Sequence, residues 1–275
     1  MSFKIFQSFY KPEHTAHLTP GLHWIDNSNS PTPELCEYPI HLKCYEIATN
    51  ENVDTWGLLS WNWKDKMPKL DANQILRFID SNPGYDVYFI NPCTDVEAIA
   101  YNVWEQGCWM HPNIITICES LFPLMGLPVD LLYQPMSYST TCYTSNYFGN
   151  KKFWDKWLAF VNKFVDAVEL LPVDIKKMYN SSAGYQEKIQ LNYFPFIYER
   201  LFNTFLQVYK HEFTVKSLSH AVEELPIPLL ELRTLKEQAL LTCNLDLIKR
   251  WYAQRTSQFS VARNHAAEWV NNITW

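Results

Sequence analysis

Asp54-Thr55-Trp56-Gly57-Leu58-Leu59-Ser60-Trp61-Asn62-Trp63-Lys64-Asp65-Lys66-Met67 changes character half-way along. Trp56-Gly57-Leu58-Leu59 is a short apolar run with the length and flanks of a buried strand. The polar turn Ser60 to Lys66 follows at once. In an open α/β sheet, ligands collect at the carboxyl ends of strands. Two lysines placed there could hold a diphosphate, and two tryptophans could stack on a base or a sugar ring. The plainer alternative is a strand running into an amphipathic surface turn, with solvated lysines and half-buried indoles.

Outward from this stretch, strand and helix patterns alternate. Phe3 to Tyr10 reads as a first strand, and residues 11 to 33 as an irregular, proline-rich loop. A helix is expected from Thr32-Pro33-Glu34 to about residue 49, kinked or cut short at Pro39. Asp71 caps a helix that runs to Asn82, Tyr85 to Ile90 is a second buried strand, and Asp95 to Trp104 is helical. Glu105 to Asn113 reads as a polar and aromatic loop, 114 to 125 as a helix, and Thr140 to Phe148 as a strand. Phe153 to Leu171 is amphipathic, with Trp154, Trp157, Leu158, Val161, Phe164, Val165 and Val168 at three- and four-residue spacing. Another helix covers about 193 to 209. Alternation of this kind predicts a mostly parallel sheet. Beyond about 213 only helices are expected, near 215–224, 229–241, 244–255 and 258–273, so a boundary is placed between 1–212 and 213–275.

With 47% hydrophobic and 16% aromatic residues, the 275-residue chain can build a large core. A net charge of −6 without a basic stripe argues against nucleic acid as partner. Seven cysteines form an odd set with no C-x-x-C pair, which predicts reduced thiols in a cytoplasmic protein. No apolar run reaches the roughly 18 residues a membrane span needs, and no signal peptide is recognised.

Metal-hydrolase, nucleophile-elbow and phosphate-loop signatures are absent. What remains is a set of polar residues at strand ends: Gln7 and Tyr10, Ser60 with Lys64 and Lys66, Asp95, and Asn146. Glu105 and His111 are candidates for a general base, because either could titrate near neutral pH in an aromatic pocket. Glu199-Arg200, inside an apolar helix, reads as a buried structural ion pair.

The order of short motifs resembles a family. Phe-Gln-x-x-Tyr ends the first strand, Glu-Leu-x-Glu lies on the next helix, and Trp-Gly-Leu-Leu-Ser precedes Lys-x-Lys. Later come Glu-Gln-Gly-x-x-x-His-Pro, then Ser145-Asn146-Tyr147-Phe148 with Phe153 to Trp157, then Phe-x-x-Glu-Arg-Leu-Phe. This is similar to the GT-A-like glycosyltransferase domains of bacterial capsule and O-antigen gene clusters, over about residues 3 to 210. The resemblance implies an α/β, GT-A-like (Rossmann-like), mostly parallel sheet flanked by helices, with a C-terminal helical extension. It implies sugar transfer from a nucleotide-sugar donor to a glycan acceptor, in the cytoplasm or at the inner face of the membrane. Gln7, Tyr10, Ser60, Lys64, Lys66, Asp95 and Asn146 would bind the donor, and Glu105 or His111 would act on the acceptor. The Asp-x-Asp that usually holds a divalent cation is missing. Lys64 and Lys66 then neutralise the diphosphate, or Asp65 or Asp95 holds Mn²⁺ or Mg²⁺ alone, or the domain is inactive. The runner-up is a non-catalytic glycan- or partner-binding module, its C-terminal helices docking another transferase domain.

Overall fold

A computed structural model describes residues 2–184, 191–219 and 222–259. The strands are β1 (Phe3–Phe9), β2 (His23–Asp26), β3 (Thr55–Leu59), β4 (Val87–Asn91), β5 (Tyr147–Gly149) and β6 (Val215–Ser219). The helices before β5 are α1 (Tyr38–Asn50), α2 (Trp63–Lys66), α3 (Ala72–Asp80), α4 (Thr94–Ile99), α5 (Val103–Met110) and α6 (Ile114–Leu124). Those after it are α7 (Lys151–Glu169), α8 (Val173–Tyr179), α9 (Phe194–Val208), α10 (Ile227–Leu241) and α11 (Leu245–Gln258). The six strands form one sheet in the order β2-β1-β3-β5-β4-β6. All neighbours are parallel except the short β5, which runs antiparallel to both β3 and β4. The expected α/β class, a mostly parallel sheet flanked by helices, is what the chain forms.

Strand alternation divides the core in two. Ile5, Leu59, Tyr88, Ile90 and Phe148 point to one face, where Ile75 and Ile79 of α3 cover them. Phe6, Trp56, Leu58, Phe89 and Tyr147 point to the other, beneath Ile40 of α1, Trp154 and Trp157 of α7 and Phe202 of α9. The α3 helix starts where Asp71 predicts, in a capping box with Gln74. Gly57 has a packing reason: a Cβ there would lie 2.3 Å from the Tyr147 carbonyl oxygen and 2.4 Å from Phe148 Cδ1. Gly57→Ala is therefore expected to destabilise the fold by about 1–3 kcal/mol, because backbone must move. An unchanged urea midpoint would show that β3 and β5 are not so tightly apposed.

Several sequence expectations are corrected. The loop at 11–33 contains β2, an edge strand in which only Ile25 of its four residues is buried. Pro39 does not kink α1 but sits in its first turn, where a missing N–H costs nothing. The segment before it is a short turn, Pro33–Leu35, followed by Cys36 at φ 45°. The strand expected from Thr140 shrinks to Tyr147–Gly149. Upstream, the hydroxyls of Thr140 and Thr141 both donate to the Ser137 carbonyl, and such local bonds compete with a ladder. The helix expected over 95–104 breaks after Ile99, and the loop expected from Glu105 is α5, capped by the Asn102 side chain on the N–H groups of Trp104 and Glu105. The helix expected near 215–224 begins as β6, which pairs with β4 from Val87↔Val215 to Asn91↔Ser219. The sheet thus gains a strand beyond the boundary placed at 213. The helix expected over 258–273 falls outside the described residues from 260 onward. No helix among the described residues is long and apolar enough to cross a membrane.

α10 and α11 are fastened to the C-terminal end of α4. Lys236 donates to the carbonyls of Glu97 (3.2 Å) and Ala100 (2.7 Å), Trp251 Nε1 to Ala98 (3.0 Å) and Arg255 to Ile99 (2.7 Å). These are the orphan carbonyls every helix end leaves, and two cations suit the negative end of the dipole. Two ion pairs reinforce the attachment: Arg233 to Glu97 (2.6 Å), and Arg255 to Glu105 (2.7 Å) with both partners fully buried.

Candidate functional site

The five parallel strands all end at one edge of the sheet, and β5 begins there. From β1 the chain crosses outward to β2 on one side, and from β2 returns through α1 to β3 on the other. α1 covers one face and α3 the opposite face. The carboxyl ends of β1 and β3 therefore flank a topological switch point, where open sheets leave a crevice.

Two glutamates act on one another at this edge. Glu37 is the residue immediately before α1, held there by the positive-φ turn at Cys36, and Glu199 lies on α9. Burial pushes the carboxyl of each above the ordinary glutamate value. Their mutual repulsion adds to the shift of Glu37, and the Lys66 ammonium opposes the shift in both. The Tyr10 hydroxyl lies against Glu37, and burial with that carboxyl pushes it well up. Burial and then the charge of Asp95 push the Cys93 thiol up to about 12, so it stays protonated. Titratable groups displaced from their usual values and gathered at a switch point mark a candidate functional site. Chemically the pair holds a proton more tightly than free glutamate, while the Lys66 charge acts on both.

The sequence candidates separate into those at this edge and those elsewhere. Lys66 is exposed on α2 and its charge acts on Glu37 and Glu199, whereas Lys64 donates to the Leu70 carbonyl (2.8 Å) and lies over the Trp63 ring. Ser60 is at the end of β3 and donates to the Asn62 side chain (3.0 Å). Gln7 is fully buried and acts as a staple: Nε2 donates to the carbonyls of His17 (3.1 Å) and Trp61 (3.2 Å), and Oε1 accepts from the Thr19 N–H (2.7 Å). It fixes the loop after β1 against the turn after β3. Asn146 is buried beside Met67, 3.9 Å from its sulfur. Asp95 is exposed in the first turn of α4, near Cys93. Of the two tryptophans, Trp63 is core, and half-buried Trp61 carries the His14 ring stacked at 3.8 Å and His17 edge-on at 5.0 Å.

The two expected bases are engaged elsewhere. Both Glu105 oxygens accept from Arg255 (2.7 and 2.8 Å), and one also accepts the Tyr101 N–H (2.6 Å). His111 Nδ1 lies 2.8 Å from the Ala183 carbonyl, and since a carbonyl only accepts, that nitrogen carries the proton. Its ring stacks on Phe196 at 3.9 Å, and burial lowers its pKa to about 4. The expected Glu199–Arg200 pair does not form either. Arg200 turns to α5, donating to the Val103 carbonyl, the Phe196 carbonyl and the Gln106 side chain. Gly107 leaves room for it: a Cβ there would stand 2.8 Å from Arg200 Nε.

Glu37 and Glu199 as a site pair were not found from sequence, although both stand in quoted motifs, Glu-Leu-x-Glu and Phe-x-x-Glu-Arg. The available signal was a carboxylate in the apolar run of α9. Asp65 and Asp95 are both exposed, and among the described residues no group of three histidine, cysteine, aspartate or glutamate side chains could hold a metal ion.

No family model matches the chain, and no curated protein matches it. Among solved structures, the apo form of WbbM, a bifunctional glycosyltransferase, aligns with a TM-score of 0.48 and 16% identity. The alignment covers 80% of this chain and 44% of that one, so this chain spans less than half of WbbM's length.

Proposed function

We propose that this chain is a glycosyltransferase that moves a sugar from a nucleotide-sugar donor to a glycan acceptor. The observation that carries the reading is the Glu37–Glu199 pair beside Lys66 at the switch point of a mostly parallel sheet. In the transfer, an acceptor hydroxyl oxygen bonds to the anomeric carbon and the carbon–oxygen bond to the diphosphate breaks. The bonding pair leaves with the diphosphate, and the hydroxyl proton passes to a carboxylate of the pair. Glu37 and Glu199 hold protons more tightly than free glutamate, so each is a stronger general base than a free carboxylate once ionised. Lys66 meets the charge that develops on the leaving diphosphate. Gln7 and Ser60 shape the turn that presents Lys66, and Asn146 lines the β5 side of the same edge. The acceptor class proposed is a bacterial surface glycan, capsule or O-antigen, and the setting is the cytoplasm.

A thermal-shift panel of UDP, GDP, CMP, dTDP and their common sugars, with and without Mn²⁺, tests the reading. A donor at 100 times its dissociation constant should stabilise the fold by about 2.7 kcal/mol. Lys66→Ala is expected to weaken the responding nucleotide by about 10- to 100-fold, the value of a charge-assisted hydrogen bond. An unchanged affinity would remove Lys66 from the site. Silence across the whole panel would favour a non-catalytic glycan-binding module.

A further inference from the structure

We propose that Ser8, Tyr10, Asn27 and Glu37 form a subsite for the hydroxyl groups of an uncharged sugar ring. This rests on the transferase reading and adds to it where the sugar lies.

Among the described residues, neither Oδ1 nor Nδ2 of the buried Asn27 has a hydrogen-bond partner at the end of β2, and at the end of β1 the buried Ser8 and Tyr10 hydroxyls have no well-formed bond beyond their closeness to each other and to Glu37. Register puts them together. β1 and β2 run parallel with Ser8 opposite Ile25 and Phe9 opposite Asp26, and the Asn27 N–H donates to the Phe9 carbonyl (2.9 Å). One residue further, Tyr10 and Asn27 stand side by side. Ser8, Tyr10 and Asn27 share strand parity with Phe6 and Ile25, so they face the side of the sheet that α1 covers. Glu37, at the start of α1, closes that side, with its carboxyl and the Ser8 hydroxyl both next to the Tyr10 hydroxyl. Ser8 (0% exposed) and Asn27 (5%) are buried, while Tyr10 and Glu37 are half-buried.

Buried polar side chains normally find partners, and an unpaired carboxamide beside two incompletely paired hydroxyls implies that something else supplies them. The donor set defines the ligand. Two hydroxyls, a carboxamide and a carboxyl both give and take hydrogen bonds, which suits adjacent ring hydroxyls. The acidic side chain acting on Tyr10 from this pocket is Glu37, so a phosphate is disfavoured there. The Lys66 charge acts on Glu37 and Glu199, so the diphosphate is assigned to Lys66 and the sugar to the β1–β2 pocket.

Calorimetric titration with a nucleoside diphosphate and its sugar conjugate, both taken from the responding member of the panel, tests the assignment. Ser8→Ala and Asn27→Ala are each expected to weaken the conjugate by about 10-fold and to leave the bare diphosphate within about 2-fold. Ser8→Ala should also melt no lower than the wild type, since it removes an unpaired buried group; a purely structural serine would lower the melting temperature. If both variants bind the conjugate as the wild type does, the subsite is refuted while the transferase reading stands. If the wild type binds no nucleotide, the transferase reading fails and saturation-transfer NMR with free galactose, glucose, mannose and N-acetylglucosamine decides. A sugar signal lost in Asn27→Ala then supports the pocket, and the absence of any signal overturns it.

Discussion

Glu199→Gln is expected to slow sugar transfer by about 10²- to 10⁴-fold, the range that a positioned general base contributes. The substitution keeps the shape of the side chain and removes only its ability to take a proton. Nucleotide affinity should change little, because Lys66 rather than Glu199 meets the diphosphate. The pH profile gives an independent check. The base must be ionised to act, and burial raises the proton affinity of both Glu37 and Glu199. The acidic limb of kcat/KM should therefore lie above the ordinary glutamate value of 4.5. Stability must move the other way. A carboxyl with a raised pKa in the folded state keeps its proton after the unfolded chain has released it. Folding stability is then full below 4.5 and declines as pH rises from there through the folded value. Glu199→Gln should flatten that decline while abolishing the acidic limb of the rate. A rate within a few-fold of wild type would show that the pair is a structural feature and that the base lies elsewhere.

Arg255→Ala should give the largest loss of stability of any single truncation in the C-terminal helices, about 3–5 kcal/mol by urea denaturation. Arg255 and Glu105 are both fully buried, and the guanidinium grips both carboxylate oxygens. Truncation leaves an ionised glutamate in the core with one backbone N–H for company. The Ile99 carbonyl at the end of α4 loses its donor as well. Replacing both partners with apolar residues of similar size, Glu105→Leu with Arg255→Met, should recover more than half of the loss. The desolvation cost then disappears along with the attraction. A cost below about 1 kcal/mol for Arg255→Ala would mean that water reaches the pair.

How far such features could be read beforehand depended on how local their causes are. The Asp71 cap, the amphipathic run of α7 and the buried strand at Trp56 to Leu59 rest on neighbours a few residues away, and the structure follows them. β2 was hidden because an edge strand with one buried residue shows no period. β6 was hidden for a similar reason: all five of its residues are only half-buried, and its strand character comes from β4, well over a hundred residues earlier. Glu105 was misplaced because its environment is set by a partner 150 residues downstream. The crevice shows the same division. The turn carrying Lys66 was legible as a strand-end turn. The approach of Glu37 to Glu199 depends on a backbone reversal at Cys36 and on the docking of α9, which no short motif encodes.

The attachment of α11 to α4 also bears on how the protein is made. Glu105 leaves the ribosome 150 residues ahead of the arginine that neutralises it. At roughly 5–20 residues per second, that interval lasts on the order of 8–30 s. During this time Glu97 and Glu105 lack their cations and α4 lacks its caps, so the central strands cannot close around them. The nascent chain must spend those seconds with the α4–α5 end of its core unsealed. The last helix among the described residues is thus the one that completes the core.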